Sequence, residues 1–503
     1  MKAHNSHFIT KKETAKLDLL NLLLTSKEKI FVKEAMFHLH VSKNSALRYL
    51  EELARDIRTV SNTTKLILSQ RGYYYLENSS QDGNLILMQV KEHYIAKSSV
   101  LLTFKSVIQT SHTVENLANS LHFTSSTIYN KIAEINKITN LFNCSVNISQ
   151  TDRFSGDEFG IRAFNFIMLH YSTRTNIDNP FSSMMPKSFI NLDNIKENLI
   201  TQKNLSPSQE MRLKLLQGIV LYRINKRKRF VTFDDSFFTD AQFFFEDDFI
   251  LQNQLGREFE TTIKLESNIF CFLVRSLFFN IDTFTKKTEI VSQYKNSNLT
   301  ITQQINFILS EFSTYASFKY TQEGYIESYY LLLIIFIFVK HINIDFTDFY
   351  EFKSDLVNYE DTIETSFSEN EKMITEFLTR EPFKTQFSQL SEPLKMHLSR
   401  VLYFIFDSNH LPKKVKIYVQ FSKNMYTGST LITSLKTTFS QDSIEITDNP
   451  NDADLIISDI FEGYNLKAER FYFENVYDYS QWKQLLQCVT DLIYRKSFFK
   501  TIS

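Results

Sequence analysis

A segment of 22 residues occurs twice in this chain without a gap. VKEAMFHLHVSKNSALRYLEEL runs from Val32 to Leu53, and VENLANSLHFTSSTIYNKIAEI from Val114 to Ile135, an offset of 82 (114 − 32). In each copy a helical pattern runs into Leu-His (Leu39-His40; Leu121-His122). An apolar residue follows (Val41; Phe123), then a hydroxyl residue (Ser42; Thr124), then a second helical pattern. Ser and Thr are good N-caps, because their oxygen accepts from an N–H that the first helical turn leaves unpaired. Each copy therefore reads as a helix-turn-helix, whose second helix is the one that enters a DNA major groove. Two copies at one end of a long chain point toward a transcription regulator.

Capping at Ser42 puts Ala46, Leu50 and Leu53 on a buried face, with Asn44, Ser45, Arg48 and Glu52 opposite. In the second copy Ile128, Ile132 and Ile135 fall inside, and Ser126, Thr127 and Asn130 outside. Arg pairs well with guanine, Asn with adenine, and Ser or Thr with several partners. Lys43 and Lys131 are placed for phosphates. His40 and His122 read as packing residues at the turn. After the first copy, KLILSQRGYYYLE (Lys65 to Glu77) alternates around Arg71-Gly72 as a hairpin would. This is a wing, from which Arg71 reaches backbone or minor groove. CSVNISQTDRFSGDE (Cys144 to Glu158) is the wing of the second copy, and residues 84–110 supply a helix between the two units. The first copy carries more charge and is expected to supply more of the electrostatic affinity. The alternative is that both repeats are merely small helical hairpins.

At 503 residues the chain is too long for one core. Net charge is −1, which excludes a globally basic coat. Residues 1–75, however, hold 13 Lys/Arg against 7 Asp/Glu, the local surplus that phosphate binding needs. Three scattered cysteines suit a reducing cytoplasm and argue against a disulfide framework or zinc site. The N-terminus shows no signal-peptide pattern. YYLLLIIFIFV (Tyr329 to Val339) is shorter than the roughly 20 residues that span a bilayer and reads as a core helix, so no membrane partner is expected. From about 185 to 400 the pattern is almost all helical, in two bundles. The basic run Lys226 to Arg229 ends one helix, where cations complement the dipole; a phosphate-binding patch is the alternative. After Pro412, strands alternate with helices (strand KVKIYVQF, polar loop Ser422 to Ser429, helix Thr430 to Phe439), as in a small parallel α/β domain. Asp234-Asp235 and Glu246-Asp247-Asp248 read as solvated loop faces rather than a metal site, and Trp482 as packing for the last helix.

The order of parts resembles the Mga/AtxA family, global virulence regulators of Gram-positive bacteria. The resemblance rests on the tandem repeats and on Gly156-Asp157-Glu158 with Ile161-Arg162. It implies a multidomain, mainly α chain. Two winged helix-turn-helix domains (1–78 and 79–160) precede two all-α bundles of the PTS regulation domain (PRD) type (161–292 and 293–410). An α/β domain like enzyme IIB of sugar phosphotransferase systems (411–503) ends the chain. Such bundles are phosphorylated on histidine. Here Ile219 and Ile334 stand at the expected places, and His341, two turns on, is the candidate phosphoacceptor, with a structural role as the alternative. His170, His397 and His410 rank below it. The cysteine nucleophile of a IIB enzyme is replaced by Phe421-Ser422-Lys423, so the domain is expected to be non-catalytic and to make oligomer contacts. The Ser422 to Ser429 loop is not a P-loop, but its backbone N–H groups and the following helix dipole could still bind an anion.

The expectation is a cytoplasmic, non-enzymatic activator that needs no cofactor or metal. Its partners are double-stranded promoter DNA, a second copy of itself, and phosphotransferase-system proteins. The rivals are an RNA-binding antiterminator, which also carries PRDs, and a phosphotransferase-system component.

Overall fold

Thr10 starts helix α1 (Lys11–Thr25) with a capping box. Its hydroxyl accepts from the Glu13 N–H at 3.3 Å, and the Glu13 carboxylate accepts from the Thr10 N–H at 2.8 Å. The computed structural model describes residues 8–26, 29–62, 64–68, 72–77, 83–109, 113–150, 152–171, 205–245, 260–278, 281–342, 344, 372–381, 383–386, 392–409, 414–421, 425–460, 468–473 and 478–498. Arg71, Glu246-Asp247-Asp248, His410, Ser422, Lys423 and the side chain of His397 lie outside the described residues.

The chain divides into two units. One is Met1–Thr302 with Leu333–Asn358, and the other is Gln303–Leu332 with Tyr359–Ser503. In the first unit, β1 (Ile30–Phe31), α2 (Val32–Leu39) and α3 (Lys43–Val60) lead into the antiparallel hairpin of β2 (Lys65–Leu68) and β3 (Tyr73–Glu77). The sheet order is β1-β3-β2. Gly72 sits at φ +80°, a left-handed conformation that glycine adopts without Cβ strain. The helical stretch expected over 84–110 is two helices, α4 (Gly83–Lys97) and α5 (Ser99–Gln109). They break at Ser98, whose hydroxyl accepts from the Leu101 N–H at 3.2 Å.

The second copy folds as α6 (Val114–Leu121) and α7 (Ser125–Thr139), then β4 (Cys144–Val146) antiparallel to β5 (Phe154–Gly156). Glu158 is not part of this wing: it opens α8 (Glu158–Tyr171). The FSGDEFGIR stretch has a physical reason at each step. Gly156 lies at φ +111°, and a Cβ there would strike the Asn143 carbonyl. Asp157 accepts from the Gly160 N–H at 2.7 Å, and a Cβ on Gly160 would strike the Phe142 carbonyl. Arg162 is buried among acids and binds the helices that follow.

Those helices are α9 (Pro207–Arg227), α10 (Asp235–Asp240), α11 (Glu260–Leu277) and α12 (Phe284–Lys295). Asp234 is the N-cap of α10, accepting from the Phe237 N–H at 3.1 Å, which accounts for one member of that acidic pair. Among the described residues no group of His, Cys, Asp and Glu is placed to hold a metal.

In the second unit, α13 (Thr300–Tyr315) and the first half of α14 (Gln322–His341) pack with α15 (Glu392–Asn409). Phe318 meets Phe406 edge-on, and the Asn409 amide donates to Ser328 at 3.0 Å. By length and composition α14 could cross a membrane, and 56% of its apolar stretch is buried inside the protein, as in a core helix. Beyond it, β6 (Val415–Gln420), β7 (Ile444–Ile446), β8 (Leu455–Ser458) and β9 (Glu469–Tyr472) form an all-parallel sheet in the order β7-β6-β8-β9. Val415, Ile417, Leu455 and Ile457 pack with Leu431 and Leu435 of α16 (Met425–Thr438) and Leu485 and Val489 of α17 (Tyr479–Phe498). α16 begins at Met425, so the polar loop ends five residues earlier than its composition suggests. Phe421 packs beside Phe473, and Trp482 meets Phe473 edge-on at 5.1 Å.

Candidate nucleic-acid interface

The two repeats are superposable in their hydrogen bonds as well as their letters. At the turn, the Val41 N–H donates to the Met36 carbonyl at 3.1 Å and the His40 N–H to Phe37 at 3.4 Å. The equivalents 82 residues on are Phe123 to Ala118 at 2.8 Å and His122 to Asn119 at 3.3 Å. This is the pairing that closes a helix through one left-handed residue. His40 and His122 are those residues, at φ 52° and φ 56°. Both rings are exposed, which corrects the expectation that they pack in the turn. Their contribution is backbone conformation, which histidine adopts more readily than β-branched residues.

Ser42 and Thr124 cap α3 and α7, accepting from Ser45 and Thr127 N–H at 3.4 and 3.1 Å. The hydroxyls of Ser45 and Thr127 lie 3.1 and 2.8 Å from the cap oxygens. These two side chains, expected to face bases, are spent on the helix start.

Ala46, Leu50, Leu53 and Ile57 form the buried stripe of α3. Asn44, Arg48, Glu51, Arg55 and Arg58 follow each other at helical spacing on the opposite, exposed face, with Lys43 at its start. Glu52 is not on that face. It accepts from Lys12 of α1 at 2.6 Å, while Asp56 accepts from Lys16 at 2.6 Å and from the Tyr94 hydroxyl at 2.6 Å. Burial would raise the Asp56 carboxyl, but these two hydrogen bonds outweigh it and hold it below the usual carboxylate value. Glu52 and Asp56 are thus turned inward and neutralised, which leaves Glu51 as the acid of the outer face. Lys43, Arg48, Arg55 and Arg58 have no acidic partner among the described residues. The outer face is left cationic, as contact with phosphates requires.

In α7 the buried stripe is Ile128, Ile132, Ile135 and Ile138. Ser126, Asn130, Ala133 and Lys137 are exposed at the positions equivalent to Asn44, Arg48, Glu51 and Arg55. Tyr129, 56% exposed, stands beside them. Lys131 is half-buried and bonded to Glu134 at 2.9 Å, so it offers phosphates less than its position in the sequence suggests. Arg55, Arg58, Lys137 and Tyr129 are the face residues that the sequence reading passed over. Extending the same helical period by two turns finds the three cations.

His341 lies in a different setting. Its Nε2 is 2.8 Å from Asp240 Oδ2, its Nδ1 is 3.8 Å from Asp234 Oδ1, and Phe237 meets the ring edge-on. Lys340 shares Asp240 at 2.7 Å. Burial would raise the Asp240 carboxyl, but the bonds from His341 and Lys340 hold it low. His170 stacks on Phe166.

Comparison with family models matches residues 83–171 to the Mga helix-turn-helix domain. The match runs from α4 through α8 and so contains the second repeat, its wing and the SGDEFGIR stretch. Comparison with curated proteins gives no match. A helix-turn-helix of this type suggests a DNA-binding regulator, and the match over 83–171 supports membership of the Mga/AtxA family.

Proposed function

We propose that this regulator is a cytoplasmic transcription activator that docks α3 and α7 in successive stretches of promoter DNA. The observation that carries the reading is the exposed face of α3. There Lys43, Arg48, Arg55 and Arg58 have no acidic partner among the described residues, while Glu52 and Asp56 are tied inward. Asn44 and Arg48 are the base-reading candidates of the first repeat, and Ser126 and Asn130 those of the second. The second helix carries less charge, so it adds position and limited specificity. The helices of 161–292 and 293–410 serve as PRD-like regulatory bundles, and the parallel α/β domain as a IIB-like oligomer contact. Phe421, packed beside Phe473, supports a non-catalytic role for that domain. Self-association would raise affinity by multivalency without new base contacts.

His341 remains the candidate phosphoacceptor. Phosphoryl transfer to Nε2 would break its bond to Asp240, and Lys340 is the nearby cation to offset the added charge. Incubation with a phosphorylated phosphotransferase carrier should label the wild type and not His341→Ala.

The test of DNA binding is a mobility shift with duplex DNA and with an RNA hairpin. Lys43→Ala/Arg48→Ala should weaken duplex binding and make its loss with salt shallower. Preference for the hairpin would favour the antiterminator reading, and unchanged duplex binding would reject α3 as the reading helix.

A further inference from the structure

The second winged unit is poor in cations of its own. Over 113–157, Lys131 is bonded to Glu134, and Arg153 is buried with its guanidinium on the Ile148 carbonyl. Lys137 is the remaining exposed cation of the described residues there. The wing tip itself carries an acid, Asp152. That acid does not face solvent alone. It accepts from Arg223 at 2.7 and 3.2 Å and from Arg229 at 2.9 Å, with Arg227 at 3.9 Å.

These arginines belong to the end of α9 and the turn that follows it. The turn is built rigidly. Lys228 is left-handed at φ 53°, its N–H donates to Ile224 at 3.1 Å, and the Arg229 N–H donates to Arg223 at 3.1 Å. The buried Arg162 then donates to the Arg229 carbonyl at 3.1 Å. Arg229 is therefore gripped at both its backbone and its side chain. Complementing a helix dipole explains cations in the last turn. It does not explain two cations beyond the helix end, one of which, Arg229, is pinned to the tip of a DNA-binding wing.

We propose that the basic run Lys226–Arg229 supplies the DNA-phosphate contacts that the second winged unit lacks. It acts as a surrogate wing, clamped in place by Asp152. Asp152 and the carbonyl end of α9 offset part of its charge. Lys226 and Lys228 are exposed and have no acidic partner among the described residues, so a cationic surface remains. The inference rests on the DNA-binding reading above and extends it to a surface outside both helix-turn-helix repeats. The ligand is the sugar-phosphate backbone, without base preference.

The test uses the full chain, a fluorescent mixed-sequence duplex several helical turns long, and anisotropy over a salt series. Lys226→Gln/Lys228→Asn is the variant, since asparagine tolerates the left-handed conformation at 228. Loss of two phosphate contacts should make the slope of log affinity against log salt shallower by about 1.8, with an unchanged melting curve. An unchanged slope beside a clear loss for Lys43→Ala/Arg48→Ala would overturn the surrogate wing and leave the DNA-binding reading standing. No loss for either variant would remove both.

Discussion

Replacing Arg162 by methionine should cost about 3–5 kcal/mol, the range for breaking a buried ion pair from one side. Arg162 is among the largest fully buried side chains, and Glu266 opposite is 1% exposed. The arginine donates to Glu266 at 2.5 and 3.2 Å, to Glu158 at 2.9 Å and to the Arg229 carbonyl at 3.1 Å. After substitution Glu158 keeps Arg223, at 2.6 Å. Among the described residues Glu266 keeps only the Val231 N–H, at 2.6 Å, and its charge is stranded. The loss should therefore be relieved by neutralising Glu266 while keeping its acceptor. Arg162→Met/Glu266→Gln should recover most of the stability lost in Arg162→Met, because a buried pair replaced as a unit is close to neutral. Urea denaturation followed by far-ultraviolet circular dichroism reads both variants against wild type, with equal slopes as the check that midpoints can be compared. A single substitution costing under about 1 kcal/mol would refute the claim that Glu266 depends on Arg162. So would a double variant as unstable as the sum of two independent losses.

The caps give a smaller effect. Ser42→Ala and Thr124→Ala should each cost about 1 kcal/mol, read from the same denaturation curves, and a neutral result would reject the hydroxyls as caps. At the turns, His40→Gly and His122→Gly should raise the melting temperature, since glycine relieves the left-handed strain of about 1 kcal/mol; a lowered melting temperature would show that the rings contribute more than their exposure suggests. Acid should weaken the first winged unit through Asp56. Its folded pKa lies below its unfolded value near ~3.9, so the contribution is present above that value and is lost as pH falls through the lower, folded one. Asp56→Asn should flatten that part of the acid-stability profile, and an unaltered profile would mean that Lys16 and Tyr94 do not hold the carboxylate.

The repeats were legible because helical period and cap chemistry are local. Ala46, Leu50, Leu53 and the Ile128, Ile132, Ile135 stripe follow from spacing alone. Residues whose partners lie far along the chain were not legible. Glu52 shares the helical spacing of Arg48, yet α1 brings Lys12 to it from 40 residues away. The role of Arg162 depends on Glu266, 104 residues on, and Asp152 meets Arg223 across 71. The stretch SGDEFGIR could be matched as a pattern, but its ion pairs could not be read from it. His40 and His122 misled because the left-handed position they fill is one usually marked by glycine. The start of α16 at Met425 was hidden by a polar run containing Gly428, which resembles a loop in composition.

Site-specific photo-crosslinking most directly tests whether α3 and α7 face DNA. A benzophenone side chain placed at Asn44 or at Ser126 should crosslink to a promoter duplex, while the same group at Tyr479, 82% exposed on α17, should not. Crosslinks absent from both helices, or no stronger than from Tyr479, would contradict the account.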